Sequence, residues 1–336
     1  MIHRSEGLGW LDLATPSAVQ RLLKRFGLVP RKRLGQHFLT NRQALERIVA
    51  AAELSPQDAV LEVGAGLGAL TWALAQRAGV VVAVEKDPGL IRILTELFSS
   101  SSNVHLVHGD ILSLDLPSLF REGPSRAIKV VSNLPYYLAS TLILRLLYAD
   151  LEGAGEIPIE RMVLTVQEEV GRRIVASPGT KEYSLLSVLV QYRAESRIVT
   201  SIPRSSFYPQ PEVDSVVVRL DVYPIPPLQA RDERLFVHVV RAAFGQRRKQ
   251  LRNALLTLPA AGSTFTLGKE VIEEACHRSR IDPERRGETL SVSEFVSLTN
   301  ALETLLLEAR KEEDQFNEMA HIRDPSEGQG DVCRDT

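Results

Sequence analysis

Cysteine is nearly absent: Cys276 and Cys333 are the only two in 336 residues. So distant a pair gives neither a disulfide framework nor the close-set ligands of a zinc site. The seven histidines are scattered, and His105 and His108 have no further ligands at a metal-binding spacing, so no metal is expected. No apolar run reaches the ~18 residues that a membrane span needs. The amino-terminal stretch lacks the apolar core of a secretory signal. These absences point to a cytoplasmic protein in a reducing compartment. With 44% hydrophobic and 24% charged residues, the chain can bury one large domain and a smaller one.

An excess of either charge is lacking too. The net charge of −2 would argue against nucleic acid if it were evenly spread, and it is not. Between Arg21 and Arg47 eight Arg or Lys face the single acid Glu46, and between Arg231 and Leu256 seven face Asp232 and Glu233. Residues 311–336 carry eight acids against three bases, with the composition of a disordered acidic tail. The rest of the chain is therefore at +3. One basic run alone would be a solvated helix face; two make a polyanionic partner worth testing against the motifs.

Short β-branched runs at Ala59–Val63, Val80–Val84, Val104–Val107 and Ile128–Ser132 alternate with helical stretches at 69–78, 88–99 and 138–149. That alternation predicts a parallel sheet with helices on both faces. Further strands are expected at Met162–Gln167, near Ser187–Arg193 and at Ser215–Asp221, with a more antiparallel character. Pro224, Pro226 and Pro227 then break the rhythm, and helices alone are expected at 231–257, 268–279 and 291–310. The domain plan is an extension over 1–30, a Rossmann-like α/β catalytic domain over 31–223, a small helical domain over 224–310 and the tail from 311.

The first chemical motif, Glu62-Val-Gly64-Ala-Gly66-Leu-Gly68, follows the first strand and opens a helix. Glycines there let the backbone turn sharply and approach a cofactor, although a lone glycine turn is a weak signal. Its context sharpens it. Glu85 ends the second strand 21 residues after Gly64, where a carboxylate can accept from both ribose hydroxyls. Asp110, just past the third strand, is placed to bind an adenine amino group.

The fourth strand runs into Asn133-Leu134-Pro135-Tyr136. An adenine N6 amine is a poor nucleophile because its lone pair is delocalised into the ring. The Asn133 amide oxygen and the Leu134 carbonyl, both accepting from that NH2, would favour a pyramidal nitrogen. Pro135 fixes the turn, and Tyr136 offers a ring on which an extruded base can stack. No general base is needed, since the proton leaves after alkylation.

The chain resembles the small-subunit ribosomal RNA adenine dimethyltransferase family. The matching segments are Arg31–Leu39, Glu62–Thr71, Gly109-Asp110, Asn133–Tyr136, Gln167–Glu169, Pro203–Arg219, Phe244–Asn253 and Ile281–Leu290. The resemblance implies a class I, S-adenosylmethionine-dependent methyltransferase fold and dimethylation of two adjacent adenosines near the 3′ end of small-subunit rRNA. It implies a cofactor pocket lined by His37, Leu39, Gly64, Gly66, Glu85 and Lys86, together with Asp110, Ile111 and Asn133. Two positions depart from the pattern. His37 stands where the family often has Asn, and Tyr137 stands where a polar residue is common.

Phe207, among the prolines of 203–211, is the expected second face of a sandwich around the flipped adenine, with Tyr208 in reserve. Arg31, Lys32 and Arg33, and a helix carrying Arg247, Arg248, Lys249 and Arg252, are expected to meet phosphates of the immature 30S subunit. A monomer is expected. The rival readings are a large-subunit rRNA adenine methyltransferase, a DNA adenine methyltransferase, a nicotinamide enzyme and an assembly checkpoint that binds the nascent subunit.

Overall fold

The computed structural model describes residues 13–120, 127–151, 158–246, 248–258 and 267–322. Internal contacts divide the chain into two units, Met1–Pro227 and Leu228–Thr336. The first unit opens with α1 (Pro16–Arg25), β1 (Phe38–Leu39) and α2 (Arg42–Ala52). Then come β2 (Ala59–Val63), α3 (Ala69–Ala75), β3 (Val80–Glu85), α4 (Pro88–Leu97) and β4 (Val104–His108). After the crossover follow β5 (Ile128–Asn133), α5 (Ala139–Leu147), β6 (Ile159–Gln167), α6 (Glu168–Ile174) and α7 (Leu185–Arg193). β7 (Ala194–Ile202), β8 (Phe207–Tyr208) and β9 (Ser215–Val222) complete it.

Seven strands form one sheet in the order β4-β3-β2-β5-β6-β9-β7. The first five are parallel, and β9 pairs antiparallel with both β6 and β7. β2 lies at the centre, with Leu61 opposite Val82 on one side and Val130 on the other. All five of its residues are buried, which is why it reads as a continuous apolar run interrupted only by Glu62. The chain winds outward from β2 to β3 and β4, returns across the sheet, and winds the other way through β5 and β6. This reversal opens a crevice beyond the carboxyl ends of β2 and β5. A separate two-stranded ribbon, with Phe38 opposite Tyr208 and Leu39 opposite Phe207, ties the arm before α2 to the proline-rich loop.

The second unit holds α8 (Glu233–Gly245), α9 (Leu251–Ala254), α10 (Lys269–Arg278) and α11 (Val292–Ile322). Among the described residues it has no strand. No helix among them is long and apolar enough to cross a membrane.

Three expectations fail. The segment 187–193, expected to be a strand, lies in α7, and the strand comes next, at Ala194–Ile202. Leu186, Ser187, Val188, Leu189, Val190 and Tyr192 of α7 are all buried. A helix covered nearly all round has no polar face, so its period cannot be told from that of a buried strand. The single helix expected over 231–257 is broken between Gly245 and Leu251. The tail expected to be disordered from 311 is helical as far as Ile322; Lys311, Glu312 and Glu313 are good helix formers that continue an established helix at little cost. Residues 323–336 of that tail lie outside the described residues.

Buried Ser187 starts α7 by accepting from the Ser184 amide at 2.9 Å. Ser187→Ala leaves that amide without its partner at a half-buried helix start, and should lower stability by about 1–2 kcal/mol in urea unfolding.

Candidate active site

The glycine loop between β2 and α3 has left-handed backbone at all three glycines, with φ of +76° at Gly64, +60° at Gly66 and +83° at Gly68. Space is short as well. A Cβ on Gly64 would come 3.2 Å from Pro135, and one on Gly68 would come 2.8 Å from the Phe98 ring. The loop is held to the next strand by the Gly64 amide on the Val84 carbonyl at 2.8 Å.

Glu85, at the end of β3, is 7% exposed. Its two carboxylate oxygens accept from the Gly66 amide at 2.9 Å and the Asp87 amide at 2.8 Å. Burial pushes its carboxyl above the ordinary range, and those amides pull it back. With about four acceptor directions on a carboxylate, roughly two remain for a ligand. Lys86 Nζ lies 2.7 Å from Asp110 Oδ2, and this ion pair holds the Asp110 carboxyl below its usual value. Asp110 Oδ1 accepts from the Leu112 amide at 3.1 Å.

The arm from Arg31 to Leu39 closes the crevice from the side. Asp87, N-cap of α4 through the Gly89 amide at 2.9 Å, also accepts from Gln36 Nε2 at 2.9 Å and lies 3.3 Å from Arg31 Nη1. Gln36 Oε1 in turn accepts from the Arg31 amide at 2.7 Å. Further along the arm, His37 Nδ1 donates to the Pro209 carbonyl at 2.7 Å. The His37 ring stacks on Tyr136, with centroids 5.4 Å apart and planes at 24°. Tyr136 is tethered again by its hydroxyl, 2.9 Å from Ser215 Oγ, and burial raises its phenol above the ordinary value.

Asn133 is the last residue of β5. Its Nδ2 donates to the His37 backbone carbonyl at 3.2 Å. A carbonyl can only accept, so the amide nitrogen must face it, and Oδ1 is left as an acceptor on the other side. The Leu134 amide bonds to the Thr165 carbonyl at 3.2 Å, which fixes the turn into Pro135.

One cleft brings together His37, Leu39, Gly64, Gly66, Glu85 and Lys86 with Asp110, Ile111 and Asn133–Tyr136. Phe207 is not among its lining residues. It is 4% exposed, pairs with Leu39 and belongs to the core cluster of Leu45, Ile48 and Val217, so the base-stacking face expected of it is covered. Tyr208 packs against the cluster of Phe38 and Leu67 and does not line the cleft. Lys32 and Arg33 are exposed, whereas Arg31 is half-buried on Asp87.

In the second unit Arg248 and Lys249 are exposed but sit in the break between α8 and α9, so Arg248 and Arg252 do not share the helix face expected of them. The chain leaves the helix there because the Leu251 and Arg252 amides bond to the Arg285 and Pro283 carbonyls at 2.7 and 3.1 Å. Arg252 is paired with Glu284 at 3.1 Å. Arg247 lies outside the described residues.

The sequence reading passed over Gln36, Asp87 and Glu62 as site residues. Asp87-Pro88 was legible as a helix start. Glu62 had no such signal beyond opening the glycine motif. It is 1% exposed, lines the cleft, and its Oε2 has no hydrogen-bond partner. Burial pushes its carboxyl up to about 8; Thr71 opposes the shift and the like charge of Glu85 adds to it.

A family profile described as Ribosomal RNA adenine dimethylase matches residues 28–301. A protein of Pelotomaculum thermopropionicum named Ribosomal RNA small subunit methyltransferase A is 45% identical over 296 residues, which are 86% of this chain and 97% of that one. Its namesake in Geobacillus thermodenitrificans is 44% identical, over 87% of this chain and 97% of its own. Among solved structures, a dimethyladenosine transferase from Plasmodium falciparum is 25% identical with a TM-score of 0.64, over 77% of this chain and 95% of that one. The 23S rRNA methyltransferase ErmE is 26% identical with a TM-score of 0.57, over 79% and 99%. The first unit has the class I methyltransferase architecture.

Two outcomes follow from this geometry. Phe207→Ala should behave as a core truncation and lower stability by about 3–5 kcal/mol in urea unfolding. Glu62 keeps its proton in the folded chain to about pH 8, while the unfolded chain releases it near the ordinary carboxylate value. The stability that goes with this raised pKa is complete at acid pH and is lost as pH rises toward 8. Glu62→Gln should therefore gain on the wild type by roughly 2 kcal/mol or more between pH 5 and pH 8, measured by urea unfolding across that range.

Proposed function

Because the chain belongs to the ribosomal RNA adenine dimethylase family, we propose that it is the methyltransferase that converts two adjacent adenosines near the 3′ end of small-subunit (16S) rRNA to N6,N6-dimethyladenosine. The donor is S-adenosylmethionine, and the substrate is rRNA in an immature 30S subunit. The observation that carries this reading is the orientation of Asn133, whose nitrogen is committed to the His37 carbonyl and whose oxygen is thereby available beside Leu134.

The residues of the cleft suit this cofactor. Glu85 retains acceptor capacity for ribose hydroxyls, Asp110 can take an adenine amino group once Lys86 gives way, and Ile111 supplies an apolar surface for the ring. The unpartnered Oε2 of Glu62 is an acceptor suited to a cationic donor. The bound cofactor supplies an electrophilic methyl group on positively charged sulfur.

The remaining chemistry belongs to this chain. Asn133 Oδ1 and the Leu134 carbonyl accept from the target N6 amine and turn its lone pair away from the ring. Tyr136, held between His37 and Ser215, offers its remaining face to the base, a contact worth about 1–3 kcal/mol. No residue need act as general base, since the alkylated amine is acidic. Exposed Lys32, Arg33, Arg248 and Lys249 contact phosphates without reading sequence. The protein works in the cytoplasm as a monomer.

The test is transfer of labelled methyl groups from S-adenosylmethionine to unmethylated small subunits, followed by nuclease digestion and nucleoside mass analysis. Wild type should form N6,N6-dimethyladenosine. Asn133→Ala should lose about 10²–10³-fold in rate, as when one preorganised partner of a reacting group is removed, while keeping its fold. Label confined to large-subunit RNA would transfer the assignment to that rRNA, and tight subunit binding without label would favour an assembly role.

A further inference from the structure

The segment before residue 28 lies ahead of the family match, and its Arg21, Lys24 and Arg25 read most simply as solubilising charges on a terminal helix. The structure gives the opposite face of that helix another role. Thr15 caps α1 by accepting from the Ala18 amide at 3.3 Å, and Pro16 starts it. Ala18, Val19, Leu22 and Leu23 are buried, while Gln20, Arg21, Lys24 and Arg25 are exposed. Leu13, Val19, Leu22 and Leu23 form one apolar cluster with Phe38 of the arm, Leu67 of the glycine loop, and Leu90 and Ile93 of α4. Arg25 pairs with Glu96 on α4. Leu28 closes over Gly89 so tightly that a Cβ there would come 2.8 Å from its methyl group.

Packing alone would make α1 a brace. Two residues do more: Leu13, just before the helix and 5% exposed, and Val19 of the helix, fully buried, line the same cleft as Glu85 and Gly66. They share a cluster with Leu67 and Leu90, and so stand on the flank where Glu85 is offered to a ribose.

We propose that Leu13 and α1 form the outer wall of the cofactor pocket, with Leu13 meeting the ribose side of bound S-adenosylmethionine and Val19 holding Leu13 in place within the cluster. An apolar wall there excludes water from the hydrogen bonds between Glu85 and the ribose hydroxyls and strengthens them. The same contacts tie the docking of α1 to the presence of cofactor, because a ligand that touches a docked element holds it docked. The inference rests on the cofactor reading above.

The test uses full-length protein and S-adenosylhomocysteine as probe. In calorimetry Leu13→Ala should raise the dissociation constant about fivefold to tenfold, the equivalent of one to two buried methylene groups. Arg21→Ala and Lys24→Ala, on the exposed face, should bind as wild type does. In hydrogen exchange on the wild type, saturating probe should slow exchange of the α1 amides together with those of the glycine loop.

Protection of the glycine loop with α1 unchanged would overturn the proposal. So would a Leu13→Ala variant that unfolds cooperatively and binds within twofold of wild type. If Leu13→Ala does not fold, the exchange result on the wild type decides. Failure of the wild type to bind the probe at all would overturn the cofactor reading, and this inference with it.

Discussion

The site depends on a single weak-looking contact, the hydrogen bond from Asn133 Nδ2 to the backbone carbonyl of His37. A side-chain amide can present either end, and only one end is an acceptor. By giving the nitrogen a partner that cannot donate, the fold leaves the oxygen as the end with acceptor capacity to offer. The bond also joins β5 to the arm between Arg31 and Leu39, two segments 96 residues apart. Everything that positions that arm therefore positions the acceptor.

The arm is held at three points by different chemistry. Asp87 takes Gln36 and Arg31 at one end, His37 reaches the Pro209 carbonyl in the middle, and Phe38 and Leu39 pair with the proline-rich loop. Asp87 is also the cap of α4 and donates its amide to Glu85, whose other oxygen holds the glycine loop at Gly66. Glu85, the glycine loop and the arm thus belong to one connected hydrogen-bond system, in which each of these groups has a protein partner before a ligand arrives. Glu62 is the exception. Its buried, unpartnered oxygen costs stability in the free protein, and such a cost is typical where a site is built for a ligand.

The parts of the fold legible in the sequence were those in which one face or both faces of an element are uniformly buried and a turn marks the end. β2, β3 and β5 and the glycine loop are of this kind. The reading of 187–193 as a strand failed because a helix buried nearly all round leaves no polar stripe. Phe207 failed for a related reason: an aromatic among prolines beside a catalytic motif looks exposed in sequence, and only its pairing with Leu39 puts it in the core. The basic run at 247–252 was legible as charge. That its backbone leaves the helix, so that Leu251 and Arg252 can bond to carbonyls more than 30 residues on, was not.

Sequence by itself determined the fold class, the chemistry on offer at Asn133–Tyr136 and the polar and glycine positions of the cleft at Gly64, Gly66, Glu85 and Asp110, because strand period, turn glycines and local motifs are properties of neighbouring residues. Tertiary structure decided which end of the Asn133 amide is committed to the His37 carbonyl, which aromatic is covered, and that α1 reaches the pocket. Each of these is a contact between segments far apart in the chain, and no local spacing encodes which partner a side chain will meet.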